Sequence, residues 1–162
     1  MTDFVVVDAS LAVKWVLREP LSEEALALAD GWVRTGTVPA APGLLLAEAT
    51  NVLHRRVAAG CLSPVVARRS LAKLLDVGIE IRESPKIHVR ALELAREMGQ
   101  PAAYDSHYLA LAELMGCDLW TADKKFFNAV RKQTTRLKLL SAACLPLLFL
   151  LHQVFGGNLA VE

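Results

Sequence analysis

The chain has 162 residues, of which 54% are hydrophobic and 22% charged, with a mean hydropathy of +0.35. This length and composition predict one folded domain with an aliphatic core and argue against a disordered protein. The formal net charge of +1 provides no overall field for a polyanion, so any nucleic-acid binding must depend on local basic patches and metal ions.

The first half of the chain predicts two strands and three helices. FVVVD is a short β-branched run typical of a central parallel strand, and it ends at Asp8. Helical periodicity follows in SLAVKWVLRE and again in SEEALALADGWVRTG, where Ser22 is a candidate helix cap. TVPAAP is a weak strand, and Pro42 opens a helix through LLLAEATNVLHRRVAAG that closes at Gly60.

The second half continues the alternation. Ser-Pro pairs at 63–64 and 84–85 predict two helix starts, with a strand around 79–82 between those helices. YDSHYLALAELMG is helical, CDLWTAD is a strand ending in an acid, KKFFNAVRK is helical and TTRLKLL is a last strand. The order βααβααβααβαβ predicts an α/β fold with a mostly parallel sheet covered on both faces, and ligands at the carboxyl ends of its strands.

Four acids of these elements are candidates for one shared site. Asp8 and Asp123 each end an apolar strand and precede a helix, so both carboxylates are expected in the crevice at the strands' carboxyl ends. Glu48 lies on a mostly apolar helix, and Asp105 lies in the first turn of another. Taken singly, the two strand-end acids could be helix caps, Asp105 could compensate the helix dipole and Glu48 could be solvated.

Together the acids predict a metal site. Four carboxylates in one small volume cannot all stay ionised without a cation between them, and a set of oxygen ligands selects Mg²⁺ or Mn²⁺. Asn51, three residues after Glu48 on nearly the same helix face, could orient a metal-bound carboxylate. The four histidines show no HExxH-like spacing, and His107 alone, two residues after Asp105, is placed to approach a substrate.

Several segments resemble the motifs of the PIN domain family, and within it the small ribonuclease toxins of VapBC toxin–antitoxin modules. VVDASLAVKW is similar to the first motif and LLLAEATNVL to the second. YDSHYLALAELMGCDLWTADKKF is similar to the third and fourth motifs in spacing, including the Thr121 that precedes Ala122 and Asp123. The resemblance covers about residues 1–140, which we treat as the nuclease domain.

The resemblance implies a three-layer α/β/α sandwich around a five-stranded parallel sheet. It implies an endoribonuclease that uses Mg²⁺ or Mn²⁺ to cleave single-stranded or structured RNA, acting as a cytoplasmic toxin. A homodimer and a cognate VapB-type antitoxin, whose tail covers the active cleft, are implied as well. The implied catalytic and metal-binding acids are Asp8, Glu48, Asp105 and Asp123. The implied supporting polar groups are Ser10, Asn51 and Thr121.

Basic residues follow the last of these acids. The segment 124–138 contains no acid, and its basic residues are Lys124, Lys125, Arg131, Lys132, Arg136 and Lys138. They form either a solvated basic surface or a set of phosphate contacts. The candidate RNA-binding residues are Lys124, Lys125, Arg131 and Lys132. A second basic group, open to RNA or to an acidic partner tail, contains Arg55, Arg56, Arg68 and Arg69.

Both ends of the chain and its cysteines indicate the cellular compartment. Residues 141–162 are an apolar extension, but the uncharged run of thirteen residues at 139–151 is broken by Pro146 and is shorter than the roughly 20 residues of a membrane span. We expect it to pack on the domain or at a dimer interface, with no membrane contact. Three dispersed cysteines without a CxxC pair, and a start that lacks the basic region of a secretory signal, indicate a reducing cytosol.

Three rival classes are open at this level. A phosphoacceptor receiver domain needs paired acids at its first strand and an Asp at its middle strand, whereas VVVDAS has one acid and IEIRESP ends without an Asp. A phosphatase with an aspartyl nucleophile needs a second Asp two residues after the first, where Ser10 stands. The third class is a catalytically silent PIN-like module that only binds a partner, and retention of all four acids argues against it.

Overall fold

Five parallel strands form one sheet in the computed structural model, which describes residues 2–142. The strands are β1 (Phe4–Val7), β2 (Val38–Ala41), β3 (Glu80–Ile81), β4 (Leu119–Thr121) and β5 (Leu137–Leu139). Their order across the sheet is β3–β2–β1–β4–β5, and each neighbouring pair is parallel. The predicted parallel sheet is therefore confirmed, with the five strands that the resemblance implies.

Helices connect the strands and give a three-layer α/β/α sandwich, as predicted. Within residues 2–142 they are α1 (Ala9–Ala12), α2 (Ser22–Thr35), α3 (Leu44–Ala58), α4 (Pro64–Asp76), α5 (Pro85–Glu97), α6 (Tyr104–Met115) and α7 (Lys124–Val130). The observed order is the predicted βααβααβααβαβ. The two Ser-Pro pairs also behave as predicted, because the Oγ of Ser63 accepts from the Val66 N–H and that of Ser84 from the Lys86 N–H.

The β-branched run of β1 lies at the centre of the sheet. Val6 and Val7 are fully buried, as expected for a strand covered by helices on both faces. The α6 helix is also buried on most of its circumference, from Tyr108 to Ala112. It ends at Gly116, whose positive φ of 69° is the left-handed conformation that favours glycine at a helix end. A buried strand and a buried helix thus hold Asp8 and Asp105 on rigid supports.

The order of the strands creates a crevice between β1 and β4. From β1 the chain proceeds to β2 and β3 on one side, whereas β4 and β5 lie on the other side. In open parallel sheets, ligands bind beyond the carboxyl ends of the strands at such a switch point. Asp8 directly follows β1 and Asp123 comes two residues after β4, so both acids stand at this crevice.

The first helix is shorter than predicted. SLAVKWVLRE forms α1 and a short 3-10 turn at Val13–Trp15, and the chain then leaves the helix before Pro20. Proline lacks an N–H donor and disfavours a helical conformation in the residue before it, so the helix cannot run on into the next. The prediction that Ser22 caps α2 is wrong. Ser22 is its first helical residue, and the Ser22 Oγ accepts from the Glu19 N–H and donates to the Leu17 carbonyl.

The predicted C-terminal extension at 141–162 lies outside the described residues except for positions 141 and 142. Its expected packing on the domain or at a dimer interface therefore stays a prediction. Among residues 2–142, no helix is long and apolar enough to cross a membrane.

Candidate active site

A cavity of about 350 Å³ opens at the carboxyl ends of β1 and β4. It is lined by all four acids predicted from the sequence, namely Asp8, Glu48, Asp105 and Asp123. Ser10, Asn51 and Arg55 contribute to the same wall. Residues from two strand ends and two helices, far apart in the chain, thus face one small volume.

Asp8 is held by three donors. It is the N-cap of α1, and its Oδ1 accepts from the Leu11 N–H at 2.9 Å and from the Ser10 hydroxyl at 2.7 Å. Its Oδ2 accepts from the Thr121 hydroxyl at 2.5 Å. The residue is only 5% exposed, so its carboxylate is fixed before any ligand arrives. Asp8 does cap a helix, as the sequence allowed. A cap, however, needs only one of these three hydrogen bonds.

Two of the predicted supporting groups connect Asp8 to the turn that carries Asp123. The Ser10 Oγ accepts from the Ala122 N–H at 2.9 Å, while it donates to Asp8. The Thr121 Oγ1 accepts from the Asp123 N–H at 2.9 Å, while it too donates to Asp8. Each hydroxyl accepts from the turn and gives its proton to Asp8. The two strand ends are therefore locked to each other by side chains as well as by the sheet.

Asp123 and Asp105 are held differently. Asp123 is the N-cap of α7, and its Oδ1 accepts from the N–H groups of Lys125 and Phe126 at 2.7 and 3.0 Å. Asp105 lies in the first turn of α6. Its carboxylate accepts no hydrogen bond from any residue in the described part of the chain. One oxygen of Asp123 and both oxygens of Asp105 are therefore free of protein donors within residues 2–142.

The pKa values of two acids reflect this crowding. Burial raises the pKa of Asp8 from 3.8 to about 6 despite its hydrogen bonds, and the charge of Asp105 adds to the rise. Burial also raises the pKa of Asp105 from 3.8 to about 6, followed by the charges of Glu48 and Asp123. The four carboxylates therefore influence one another electrostatically, and their ionised state favours a bound cation.

Glu48 has a partner that the sequence did not suggest. The Tyr108 hydroxyl donates to its Oε2 at 2.5 Å. Tyr108 lies in α6 three residues after Asp105 and therefore on nearly the same helix face, a spacing that could have revealed it. Asn51, expected to orient a carboxylate, is exposed on the cavity wall, and no hydrogen bond joins it to Glu48 within the part of the chain described.

The acids suit a divalent cation in kind and in charge, although they are not closed around one. No group of three or more His, Cys, Asp or Glu side chains within residues 2–142 is arranged to hold a metal ion. The donors are nevertheless all carboxylate oxygens, as Mg²⁺ and Mn²⁺ require. None of the four forms an ion pair with a described residue. Burial is the main cause of the raised pKa values of Asp8 and Asp105, and neighbouring carboxylates add to it, so a bound cation would stabilise the ionised forms.

The basic residues divide into two sets. Lys124 and Lys125 are exposed at the start of α7, beside Asp123, and Arg131 and Lys132 are exposed just after that helix. None of these four forms an ion pair with another residue of the 2–142 range. Two further basic residues lie at the far end of β4 instead. Arg136 donates to the Cys117 carbonyl, and Lys138 is 3.7 Å from Asp118.

Other groups lie away from this cavity. The ring of His107 faces the Ala103 carbonyl through Nδ1 at 2.7 Å and His88 through Nε2 at 3.1 Å, so its expected approach to a substrate has no contact to support it here. A larger cavity of about 530 Å³ opens at the opposite end of the sheet, near Trp32 and Trp120. Two acids line this larger cavity, Asp3 and Asp118, and Asp118 is paired with Lys138.

Comparison with known proteins gives a family and a fold. The family model described as the PIN domain matches residues 5–132. Among solved structures, the crystal structure of PAE2754 from Pyrobaculum aerophilum is similar to this chain, with a TM-score of 0.65 and 23% sequence identity. The match covers 89% of this chain and 96% of that chain. No curated protein matches the chain. At this identity the structural likeness supports the fold.

Proposed function

The chain belongs to the PIN domain family, and we propose that it is a Mg²⁺- or Mn²⁺-dependent endoribonuclease that cleaves single-stranded RNA. PIN domains are generally nucleases. The observation that carries the proposal is the set of four carboxylates on one cavity at the switch point of the sheet, with no ion pair to any described residue. Such a cavity repels a phosphodiester unless a cation is bound.

Each acid has a proposed role. Asp8, Asp105 and Asp123 would hold one divalent ion, and Glu48 would hold a second ion or orient the attacking water. A bound Mg²⁺ or Mn²⁺ supplies charge neutralisation at the phosphate and a water of lowered pKa. Hydrolysis with the 3′ oxygen as leaving group gives a 5′-phosphate and a 3′-hydroxyl.

The chain's own side chains prepare the site for this reaction. Ser10 and Thr121 hold Asp8 in one orientation through hydrogen bonds, so no rearrangement of that carboxylate is needed during the reaction. Arg55 on the cavity wall and Lys124 beside Asp123 would bind phosphates that flank the scissile bond. Lys125, Arg131 and Lys132 would extend that track along the RNA backbone.

The proposed biological setting is the toxin of a type II toxin–antitoxin pair in the cytoplasm. The resemblance to VapC-type toxins supports this setting, and it includes a homodimer and a VapB-type antitoxin whose tail covers the cavity. A gene for a short DNA-binding protein directly upstream of this one would support the setting. The nuclease activity is tested separately.

A cleavage assay on pooled short RNAs tests the proposed activity. The wild type should cleave only with Mg²⁺ or Mn²⁺, and Asp105→Asn should lose cleavage while it stays folded. Asp118→Asn is the matched control, because Asp118 precedes β4 and pairs with Lys138 on the far side of the sheet. A wild type that leaves every RNA intact would favour a silent binding module, and full activity in Asp105→Asn would refute the assignment of the acids.

A further inference from the structure

Tyr108 joins two helices of the site by a side-chain hydrogen bond. Tyr108 is 1% exposed and its ring lies in the core. Its hydroxyl donates to Glu48 Oε2 at 2.5 Å. The tyrosine comes from α6 and the glutamate from α3.

The chemistry of the two groups fixes the direction of this hydrogen bond. A phenol has one proton to give, whereas a carboxylate only accepts. The Tyr108 proton is therefore directed to Glu48 Oε2. The hydroxyl thus links α6, which carries Asp105, to α3, which carries Glu48.

Glu48 depends on such a partner more than Asp8 and Asp123 do. Asp8 is fixed by three donors and Asp123 by two backbone amides, each through a short side chain. Glu48 has a longer side chain, with one more rotatable bond, in the middle of a helix. Tyr108 is its one hydrogen-bond donor among residues 2–142. With Oε2 occupied, Oε1 is the oxygen left to face a ligand.

We infer that Tyr108 is a positioning residue of the site, which holds Glu48 so that its Oε1 is presented to the metal ion or to the attacking water. The inference rests on the proposed function for its catalytic consequence, and it adds a residue that lies outside the four acids. Partners of this kind commonly change metal affinity or activity 10- to 100-fold when they are removed.

The test is Mn²⁺ binding to the full-length protein, followed through the electron paramagnetic resonance signal of free Mn²⁺. Tyr108→Phe keeps the ring in the core and removes only the hydroxyl. It should weaken Mn²⁺ binding about 10-fold, and in RNA cleavage it should lower kcat about 10-fold with little change in KM. Tyr104→Phe is the matched control, because Tyr104 is 62% exposed one turn earlier in the same helix.

A double-mutant cycle separates positioning from a general effect on the fold. In a Glu48→Ala background, Tyr108→Phe should change Mn²⁺ affinity by less than about twofold, because the carboxylate through which Tyr108 acts is already absent. An equal loss in both backgrounds would overturn the inference, as would a Tyr108→Phe protein with wild-type Mn²⁺ affinity. A wild type that binds no Mn²⁺ would instead overturn the proposed function.

A spectroscopic readout keeps the inference testable without metal and without the Tyr108→Phe variant. The chain has 2 tyrosines, so Tyr104→Phe leaves Tyr108 as the only one. The Raman doublet of its ring should then report a strongly donating phenol. Adding Glu48→Ala should remove that signature. A Tyr108 doublet that Glu48→Ala leaves unchanged would show that the hydroxyl does not act on Glu48.

Discussion

Asp105 is the acid of the four whose burial is offset by no hydrogen bond from a described residue. Burial and the charges of Glu48 and Asp123 all raise its pKa, and no described residue donates a hydrogen bond to it. Without metal, its ionised form therefore destabilises the folded protein. Asp105→Asn should raise the free energy of unfolding in chelator at neutral pH by about 1–2 kcal/mol, after allowance for partial exposure.

Thermal unfolding in excess chelator checks this prediction. Asp118→Asn is again the control, since that acid loses only a surface contact with Lys138 and should unfold at nearly the wild-type temperature. An Asp105→Asn protein that unfolds below the wild type would contradict the idea that repelling carboxylates share the cavity.

The pH dependence of stability follows from Asp8. Its pKa in the folded protein is about 6, against 3.8 for an unburied carboxyl, so the folded state binds the proton more tightly than the unfolded state does. The stabilisation from that proton is complete below about pH 4 and is lost as the pH rises through about 6. Metal-free protein should therefore lose up to about 3 kcal/mol of stability through this group.

Denaturant unfolding of the wild type and Asp8→Asn at a series of pH values isolates the effect. The free energy of unfolding of the wild type should fall relative to that of Asp8→Asn between about pH 4 and about pH 6.5. This comparison cancels the titrating groups that do not interact with Asp8. A difference that stays constant with pH would mean that Asp8 has an ordinary pKa in the fold.

Thr121, at the end of β4, holds together the hydrogen bonds between Asp8 and the turn that carries Asp123. Thr121 is fully buried, donates to Asp8 and accepts from the Asp123 N–H. Thr121→Val keeps the shape and the strand propensity but leaves both partners short of a hydrogen bond, at a cost of about 2 kcal/mol. Chemical denaturation should show this loss, with the exposed Thr135→Val as control. Equal losses of unfolding free energy in the two variants would show that the Thr121 hydroxyl stabilises the fold no more than an exposed hydroxyl does.

Helix α3 presents one polar stripe to the cavity. Glu48, Asn51 and Arg55 are spaced three and four residues apart and line the same wall. Arg55 forms no ion pair with another residue of the described chain, whereas the neighbouring Arg56 is paired with Glu19. Arg55 is therefore the basic residue of this helix that is available to a phosphate.

Arg55→Gln should weaken RNA binding and lower the slope of log affinity against log salt concentration by about 0.7. The measurement is fluorescence anisotropy with a labelled single-stranded RNA at several KCl concentrations, in an Asp105→Asn background that prevents cleavage. Arg56→Gln is the matched control and should leave the slope unchanged. The same slope for Arg55→Gln and the unmodified background would place Arg55 outside the phosphate track.

The position of a helix end or of a site residue can be predicted from the sequence when neighbouring residues determine it. Asp8 and Asp123 could be placed because a β-branched or apolar strand and a helix start are adjacent in the sequence around each acid. The role of Ser22 could not, because it follows from hydrogen bonds to Leu17 and Glu19. Tyr108 was missed because its partner, Glu48, lies on another helix.

For the whole molecule, alternation of strands and helices is enough to predict a parallel sheet, since parallel strands require crossovers. The strand order is not encoded by that alternation. It depends on which strands pair, and the pairing of β1 with both β2 and β4 creates the crevice between Asp8 and Asp123. Convergence of the acids is therefore a property of the complete fold, which individual motifs can only suggest.

The whole fold should consequently respond to metal binding. At a Mg²⁺ concentration of 100 times its dissociation constant, binding to the native state adds about 2.7 kcal/mol of stability. For a domain of this size, that corresponds to roughly 5–10 °C in melting temperature. The shift should be larger at about pH 7.5 than at about pH 5, because protons on Asp8 and Asp105 compete with the ion.

Melting curves in Mg²⁺ should be compared with curves in KCl of equal ionic strength, so that simple screening of the carboxylates is subtracted. Asp105→Asn starts from a higher melting temperature without metal and should gain much less from Mg²⁺, so the order of the two proteins should reverse as Mg²⁺ is added. A reversal requires that one group both repels its neighbours and binds the ion. Parallel shifts in the two proteins, or a shift that KCl reproduces, would mean that the four carboxylates do not bind a shared cation.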